Sequence, residues 1–168
     1  MSNQKVVMIG LGYIGLPTAA LIANNNIRVH GVDINPQVVE TINAGKIHIV
    51  EPSLDQAVAT AVAKGFLKAA TTSVEANTYL IVVPTPFKAK NEPDISFVEA
   101  ATKAIIPLLK ENDLYIIEST SPIGTTEKMM QYIYKERPEL QDKLHIAYCP
   151  ERVLPGNVMH ELVHNDRV

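Results

Sequence analysis

The stretch Lys-Val-Val-Met-Ile-Gly-Leu-Gly-Tyr-Ile-Gly-Leu-Pro, residues 5–17, decides the fold of this chain. Its four consecutive apolar residues, 6–9, predict a strand that is buried on both faces. Gly10, Gly12 and Gly15 follow at the spacing G-x-G-x-x-G, and an apolar helical pattern begins directly after them. A strand, a glycine-rich turn and a helix in this order are typical of a loop that binds a dinucleotide pyrophosphate.

The three glycines have different roles in such a loop. Gly10 permits the tight turn, Gly12 lets the backbone approach the pyrophosphate, and Gly15 lets the helix pack closely on the strand. Phosphate oxygens would then meet the N–H groups at the positive end of the helix. The motif alone is a weak signal, because a glycine-rich turn without a ligand has the same pattern.

An acidic residue at the end of the second predicted strand strengthens this interpretation. The strand covers residues 28–33 and ends on Asp33, 18 residues after Gly15. An acid about 20 residues after the glycines accepts hydrogen bonds from the adenosine ribose hydroxyls. A carboxylate there repels a 2′-phosphate, and residues 34–36 supply no cation to receive one. The sequence therefore predicts NAD rather than NADP as the cofactor.

Strand-like runs and helical patterns alternate along the rest of the chain. The further predicted strands are residues 67–71, 79–83, 114–117 and 144–148. Six strands separated by helices predict a parallel sheet with right-handed crossovers. We therefore expect an α/β fold, a Rossmann-type doubly wound sheet with strand order 3-2-1-4-5-6. Ligands of such sheets lie at the carboxyl ends of the strands.

The helices have recognisable beginnings and ends. One is predicted over residues 36–44 and another over 127–135. Two more begin with the capping-box pattern, formed by Ser53 with Gln56 and by Ser96 with Glu99. In the last of these helices we expect a bend at Pro107, because proline removes a backbone hydrogen bond.

Composition excludes several classes of protein. The 168 residues suffice for one well-cored domain, and a net charge of −3 with a pI near 5.9 gives no basic field for nucleic acid or anionic membrane. Apolar runs are far shorter than the roughly 20 residues of a membrane span, and the N-terminus lacks a secretory pattern. One cysteine excludes an internal disulfide. We therefore expect a cytoplasmic protein.

Four sequence blocks, in order and spread over essentially the whole chain, carry a resemblance to a known family. They are Gly-Leu-Gly-Tyr-Ile-Gly-Leu-Pro (10–17), Val-Pro-Thr-Pro (83–86), Glu-Ser-Thr-Ser-Pro-Ile-Gly-Thr-Thr (118–126) and Tyr-Cys-Pro-Glu-Arg-Val-Leu-Pro-Gly (148–156). Together they resemble the nucleotide-sugar 6-dehydrogenases, the UDP-glucose/GDP-mannose dehydrogenase family. Within it, residues 48–52 and 150–156 favour members that act on UDP-N-acetyl-D-mannosamine. UDP-N-acetylglucosamine and UDP-glucose are the alternative substrates.

The resemblance implies a four-electron oxidation of the sugar C6 alcohol to a carboxylate with two NAD+. Thr120 and Glu151 match residues that position a catalytic water and support proton transfer, which a carboxylate and a hydroxyl sharing a water can perform. Arg152 and Val153 match a segment that contacts the nucleotide sugar. The cofactor residues implied by motif and resemblance together are Gly10, Gly12, Tyr13, Ile14, Gly15 and Asp33, with Thr85 and Thr126 nearer the other half of the dinucleotide.

The resemblance also implies a domain organisation. Residues 1–150 would form the NAD-binding domain, and residues 151–168 would begin the connection to a second domain. In the family the full-length protein is a dimer organised around a later helix, so the isolated domain can be monomeric. The nucleophilic cysteine, a lysine and an asparagine lie beyond the position that matches Val168. We therefore expect the 168-residue chain alone to be inactive.

Two residues depart from what a catalytic role would require. Pro155 stands where some relatives carry a second acid, so this chain lacks that acid. Cys149 is not the family's nucleophile, and we interpret it as an inert buried thiol, because no His or Lys lies beside it in the sequence.

Parts of the sequence are also compatible with two other classes of protein. Residues 160–164 match the H-E-x-x-H pattern of zinc hydrolases, but a catalytic zinc needs three protein ligands, and only four residues follow His164. We interpret these residues as a solvated helix face and predict no metal site. A non-catalytic NAD-binding module is the other alternative, and the length of the parent reading frame distinguishes it from an enzyme.

Overall fold

The strands of the protein are all parallel and form a single sheet within residues 4–166, the part of the chain that the structure, a computed structural model, describes. They are Lys5–Ile9 (β1), Arg28–Val32 (β2), Leu67–Ala70 (β3), Thr78–Ile81 (β4), Leu114–Ile117 (β5) and His145–Tyr148 (β6). Their order across the sheet is β3-β2-β1-β4-β5-β6. The predicted Rossmann-type order is therefore confirmed.

Helices cover both faces of this sheet. They are Gly15–Asn24 (α1), Pro36–Asn43 (α2), Leu54–Ala63 (α3), Ser96–Ile105 (α4), Thr125–Glu136 (α5) and Val158–His164 (α6). Short 3₁₀ turns lie at Ala89–Asn91, Ile106–Leu108 and Pro138–Leu140. Alternate residues of β1 face opposite sides, as a strand requires. Val6 and Met8 belong to one hydrophobic cluster with α1, α2 and α3, while Val7 and Ile9 belong to the other with α4 and α5.

The order of the strands along the sheet reverses beside β1. Ile9, its last residue, pairs with Val32 of β2 on one side and with Ile81 of β4 on the other. The residues that follow these three strand ends therefore lie side by side. A crevice at such a switch point is where open α/β sheets bind their ligands.

The structure contradicts both of the predicted capping boxes. Ser53 lies at the N-cap of α3, but its φ of 63° is left-handed and its side chain makes no capping hydrogen bond. Ser96 is the first residue of α4 rather than its cap, and its amide donates to Asp94 Oδ1 at 3.0 Å. Neither capping box forms, because the chain enters each helix in another conformation.

Pro107 ends a helix rather than bending one. The α-helical part of α4 stops at Ile105, and Pro107 lies in the following 3₁₀ turn. Proline cannot donate the hydrogen bond of a further α-helical turn, so the chain leaves the helix here. The helix that was predicted to continue past Pro107 is therefore an α-helix followed by a separate 3₁₀ turn.

Candidate functional site

The glycine-rich loop connects β1 to α1, and its three glycines meet different surroundings. A Cβ on Gly10, whose φ is +96°, would lie 2.2 Å from the carbonyl oxygen of Val82. A Cβ on Gly15 would lie 1.9 Å from the carbonyl oxygen of Gly10, whereas one on Gly12 would meet no protein atom within 4 Å. Gly10 and Gly15 are therefore required by packing, and Gly12 borders open space.

The N-terminus of α1 lies directly beside that open space. The carbonyl of Gly12 accepts a hydrogen bond from the amide of Leu16, at 3.1 Å, so the loop sits over the first turn of the helix. No acidic residue lies in this turn, and Ile14 at the N-cap makes no side-chain capping bond. The first N–H groups of a helix lack partners within the helix, and its dipole attracts anions. The loop thus fits a pyrophosphate.

Asp33 follows β2 and is partly buried beside this loop. Its Oδ2 accepts a hydrogen bond from the amide of Leu11 at 3.2 Å, and its Oδ1 accepts one from the amide of Asn35 at 2.9 Å. An ionised carboxylate has about four acceptor positions, so it can still accept bonds from ribose hydroxyls. Ile34, the next residue, is 89% exposed and apolar.

The loops after β4 and β5 are joined by two hydrogen bonds. The hydroxyl of Thr85 donates to the carbonyl oxygen of Thr120 at 2.5 Å, and the hydroxyl of Ser119 donates to that of Val83 at 2.9 Å. Thr126 is half-buried in the first turn of α5. The structure therefore brings Thr85 and Thr120 together.

Thr120 and Glu151 lie at neighbouring strand ends. Ile117 of β5 pairs with Tyr148 of β6, and each candidate lies three residues beyond its member of that pair. Thr120 is exposed, while Glu151 is half-buried and accepts a hydrogen bond from the amide of Val153. No direct hydrogen bond joins the two side chains within residues 4–166.

The segment after β6, residues 151–157, is attached through carboxylates. Glu161 Oε2 accepts a hydrogen bond from the amide of Leu154 at 2.8 Å. This bond, with smaller help from the side chain of Asn157, holds the pKa of Glu161 below its usual value. Arg152 is exposed and Val153 is half-buried within this segment.

Glu51 is a residue of this region that the sequence interpretation missed. It is buried, and its two oxygens accept hydrogen bonds from the amides of Gly156 (2.8 Å) and Val158 (2.7 Å). The sequence signal for it was an acid within the mostly apolar run 47–52. Its partners lie more than 100 residues away along the chain.

Cys149 is half-buried, so the predicted burial of its thiol is only partial. Its Sγ lies 4.0 Å from Oε1 of Glu118, a buried carboxylate. A carboxylate cannot activate a thiol as a neighbouring cation does. The contact supports no role for Cys149 as a nucleophile.

The two histidines of the H-E-x-x-H pattern lie on α6 with their rings stacked, 4.1 Å between centroids. A ring nitrogen of His164 makes a 2.8 Å hydrogen bond with the carbonyl oxygen of His160. In the described part of the chain, no group of three or more potential ligand side chains is arranged to hold a metal ion. Over the same residues, no helix has the length and apolar character that crossing a bilayer would need.

The sheet, the glycine-rich loop and the acid at the end of β2 define a dinucleotide-binding domain of the Rossmann type. A more specific assignment follows from comparison with known proteins. Residues 4–168 match the NAD binding domain of the UDP-glucose/GDP-mannose dehydrogenase family, and the chain belongs to this family. It is therefore an NAD-binding domain, as its glycine loop and Asp33 predicted.

Its relatives include several nucleotide-sugar dehydrogenases. UDP-N-acetyl-D-mannosamine dehydrogenase of Escherichia coli K12 is 56% identical over 100% of this chain and 42% of its own length. NDP-N-acetyl-D-galactosaminuronic acid dehydrogenase of Ralstonia nicotianae is 50% identical over 98% of this chain and 41% of its own length.

A solved structure is also similar to this chain. The UDP-N-acetyl-mannosamine dehydrogenase Cap5O of Staphylococcus aureus has a TM-score of 0.92 and 37% identity. The match covers 98% of this chain and 40% of that one. The chain spans about two fifths of the length of the curated relatives that it matches.

Proposed function

We propose that this chain is the NAD-binding portion of a UDP-N-acetyl-D-mannosamine 6-dehydrogenase, which oxidises the sugar C6 alcohol to a carboxylate with two NAD+. The observation that carries this proposal is the 56% identity, over the full chain, to the Escherichia coli enzyme of that name. The product, a sugar uronate, would serve the assembly of surface polysaccharides.

The cofactor half of the site supports the proposal. The amides around Gly12, Tyr13 and Ile14, at the positive end of α1, would hold the pyrophosphate. Asp33 would bind the adenosine ribose, and Thr85 and Thr126 would lie nearer the nicotinamide. When bound, NAD+ supplies the acceptor for the hydride that leaves C6.

The proton chemistry would fall to Thr120 and Glu151. A hydride leaves C6 only if the proton of its hydroxyl is also removed, and a carboxylate can accept that proton through one water. Thr120 and Glu151 lie at adjacent strand ends, where such a water could contact both side chains. The Val153 amide donates to one oxygen of Glu151, and the other oxygen would accept from such a water. Arg152 and Val153 would contact the nucleotide sugar.

The remaining parts of the proposal concern the whole protein. Residues 1–150 would be the NAD-binding domain, and residues 151–168 would lead into a second domain that completes the substrate site. The full-length protein would be a cytoplasmic homodimer. Neither nucleic acid nor a membrane is a proposed partner.

The test is an assay of the full-length protein with NAD+ and a series of nucleotide sugars. We expect UDP-N-acetyl-D-mannosamine to be oxidised fastest, with two NADH formed per sugar. UDP-N-acetylglucosamine, UDP-N-acetylgalactosamine, UDP-glucose and GDP-mannose are the comparison substrates. A clear preference for one of these would replace the proposed sugar. NAD binding without turnover on any of them would instead identify a non-catalytic NAD-binding module.

A further inference from the structure

Glu51 joins two parts of the chain that are distant in sequence. Its side chain is 4% exposed, and both of its carboxylate oxygens accept hydrogen bonds from main-chain amides. Oε2 accepts from Gly156 at 2.8 Å and Oε1 accepts from Val158 at 2.7 Å. One buried carboxylate therefore holds the end of the 151–157 segment and the start of α6.

The rest of the 151–157 segment makes few buried contacts of its own. Five of its seven residues are exposed, including Leu154, which is 67% exposed. The side chain of Val158, directly after the segment, is buried. Apolar packing thus begins only where α6 begins. The path of the segment therefore depends on bonds to its main chain. Of the two from Glu51, the bond to Val158 is buried and the bond to Gly156 is partly buried.

The loop that carries Glu51 is itself held firmly. The amide of Leu54 donates to the carbonyl oxygen of Glu51 at 3.3 Å. Leu54 is the first residue of α3, and its side chain is fully buried in the hydrophobic cluster that α3 shares with α1. Ser53, between Glu51 and Leu54, adopts its left-handed conformation to make this turn. A side chain fixed at this turn can serve as a rigid anchor.

We propose that Glu51 is a positioning residue for the nucleotide-sugar side of the site. The 151–157 segment is fixed at one end by the pairing of Tyr148 in β6 and at the other by Glu51. Glu161 also binds the Leu154 amide, and Glu161 lies on α6, whose first residue is held by Glu51. Glu151, Arg152 and Val153 lie between these two fixed points. Glu51 therefore sets where the proton acceptor and the sugar contacts lie relative to the cofactor. This inference rests on the proposed function.

The chemistry of the contact selects a glutamate. Both oxygens act as acceptors, and each faces an N–H group. Glutamine has the same length but only one acceptor oxygen, so its NH₂ group would face a second donor and leave that amide unpaired. Aspartate keeps the charge, but its shorter side chain cannot reach both amides from the same backbone position.

The experiment compares Glu51→Gln with the wild type in the full-length protein. Asp55→Asn is the matched control, since Asp55 is an exposed acid four residues further along the chain. NADH formation is followed at varied UDP-N-acetyl-D-mannosamine, and the NAD Kd is measured by calorimetry. We expect Glu51→Gln to raise the KM for the sugar about tenfold or more, with the NAD Kd changed less than about twofold. Asp55→Asn should resemble the wild type.

The sugar KM, compared with the NAD Kd and with kcat, distinguishes a positioning role of Glu51 from a purely structural one. A variant that only folds less completely loses active protein, which lowers the apparent kcat and leaves the sugar KM unchanged. That result, or a wild-type sugar KM in Glu51→Gln, would overturn the inference. If Glu51→Gln fails to fold, Glu51→Asp is measured in the same way. Failure of both to fold would show a folding role and also overturn it.

The wild-type protein distinguishes this inference from the proposed function. An inactive wild type that still binds NAD would refute the proposed function, and with it a positioning role in that reaction. An active wild type with an unaltered Glu51→Gln variant would refute the role of Glu51 alone.

Discussion

The carboxylate of Asp33 accepts a hydrogen bond from the main-chain amide of Leu11, with 3.2 Å between Oδ2 and N. Leu11 lies inside the glycine-rich loop, between Gly10 and Gly12, so the acid that follows β2 also supports the loop that follows β1. The two cofactor-binding parts of the site are therefore coupled. A substitution of Asp33 affects both the ribose contact and the loop.

This coupling shapes the prediction for cofactor preference. We expect NAD(H) to bind about tenfold or more tightly than NADP(H), because Asp33 repels a 2′-phosphate and residues 34–36 offer no cation. Asp33→Ala should weaken NAD binding by about 1–3 kcal/mol, since charge-assisted hydrogen bonds are lost. Calorimetric titration with both cofactors measures this.

Asp33→Asn is the matched control for that experiment. The asparagine oxygen can still accept from one main-chain amide, but the negative charge is gone. We expect it to discriminate less against NADP(H) than the wild type does, at a smaller cost in stability than Asp33→Ala. Equal affinities of the wild type for the two cofactors would remove Asp33 from its assigned role.

The glycines of the loop give a second prediction, on cofactor binding. Gly12→Val should abolish NAD binding while changing the free energy of unfolding by less than about 0.5 kcal/mol, because a Cβ there meets no protein atom within 4 Å. The new side chain would instead occupy the space of the pyrophosphate. Thermal unfolding measures the stability, and calorimetry on the same sample measures the NAD affinity. A folded Gly12→Val variant with wild-type affinity would show that the loop is only a turn.

The third prediction is that Gly15→Ala, unlike Gly12→Val, destabilises the fold. Its Cβ would lie 1.9 Å from the carbonyl oxygen of Gly10, so the loop or α1 must shift. We expect the free energy of unfolding to fall by about 1–3 kcal/mol, as for other overpacked sites. Chemical denaturation measures it. An Ala variant as stable as the wild type would contradict the close packing of α1 on the loop.

Local patterns explain which features could be predicted from the sequence. The strands were predictable because each is a short apolar run bounded by helical patterns. Their order was predictable because the glycine-rich loop and the acid after β2, 18 residues after Gly15, are typical of one sheet arrangement. The capping boxes at Ser53 and Ser96 failed because backbone conformation, which a four-residue pattern does not specify, decided both starts. The contacts of Glu51 could not be predicted from its local sequence, because its partners are 105 and 107 residues away.

The fourth prediction concerns pH. The Leu154 amide and, to a smaller extent, the Asn157 side chain hold the pKa of Glu161 below its usual value of 4.5. A carboxylate whose pKa is lower in the folded than in the unfolded protein stabilises the fold at pH values above its unfolded-state pKa. This stabilisation is lost as the pH falls through the folded-state pKa. The Leu154 amide resonance should therefore titrate with a midpoint below 4.5. Glu161→Gln should remove that titration. A midpoint at or above 4.5 would contradict the contact.

The last prediction is that the 168-residue chain alone binds NAD but oxidises no nucleotide sugar. The glycine loop, Asp33 and Thr85 provide the cofactor half of the site. Converting the intermediate aldehyde to a carboxylate needs a nucleophile, for which a thiolate is suited. Cys149, the single thiol of the sequence, lies beside the carboxylate of Glu118, which does not activate it.

Substrate orientation gives a second reason for that inactivity. Arg152 and Val153 are the residues of this chain that we propose to contact the nucleotide sugar. We expect these two contacts to be too few to align C6 with the nicotinamide. Orientation can account for several kcal/mol of a reaction barrier, so its loss suppresses even the first oxidation. NADH formation with UDP-N-acetyl-D-mannosamine, compared between this chain and the full-length protein, is the measurement. Sustained turnover by the short chain that disappears in Cys149→Ser would refute both the need for a second domain and the inert role of Cys149.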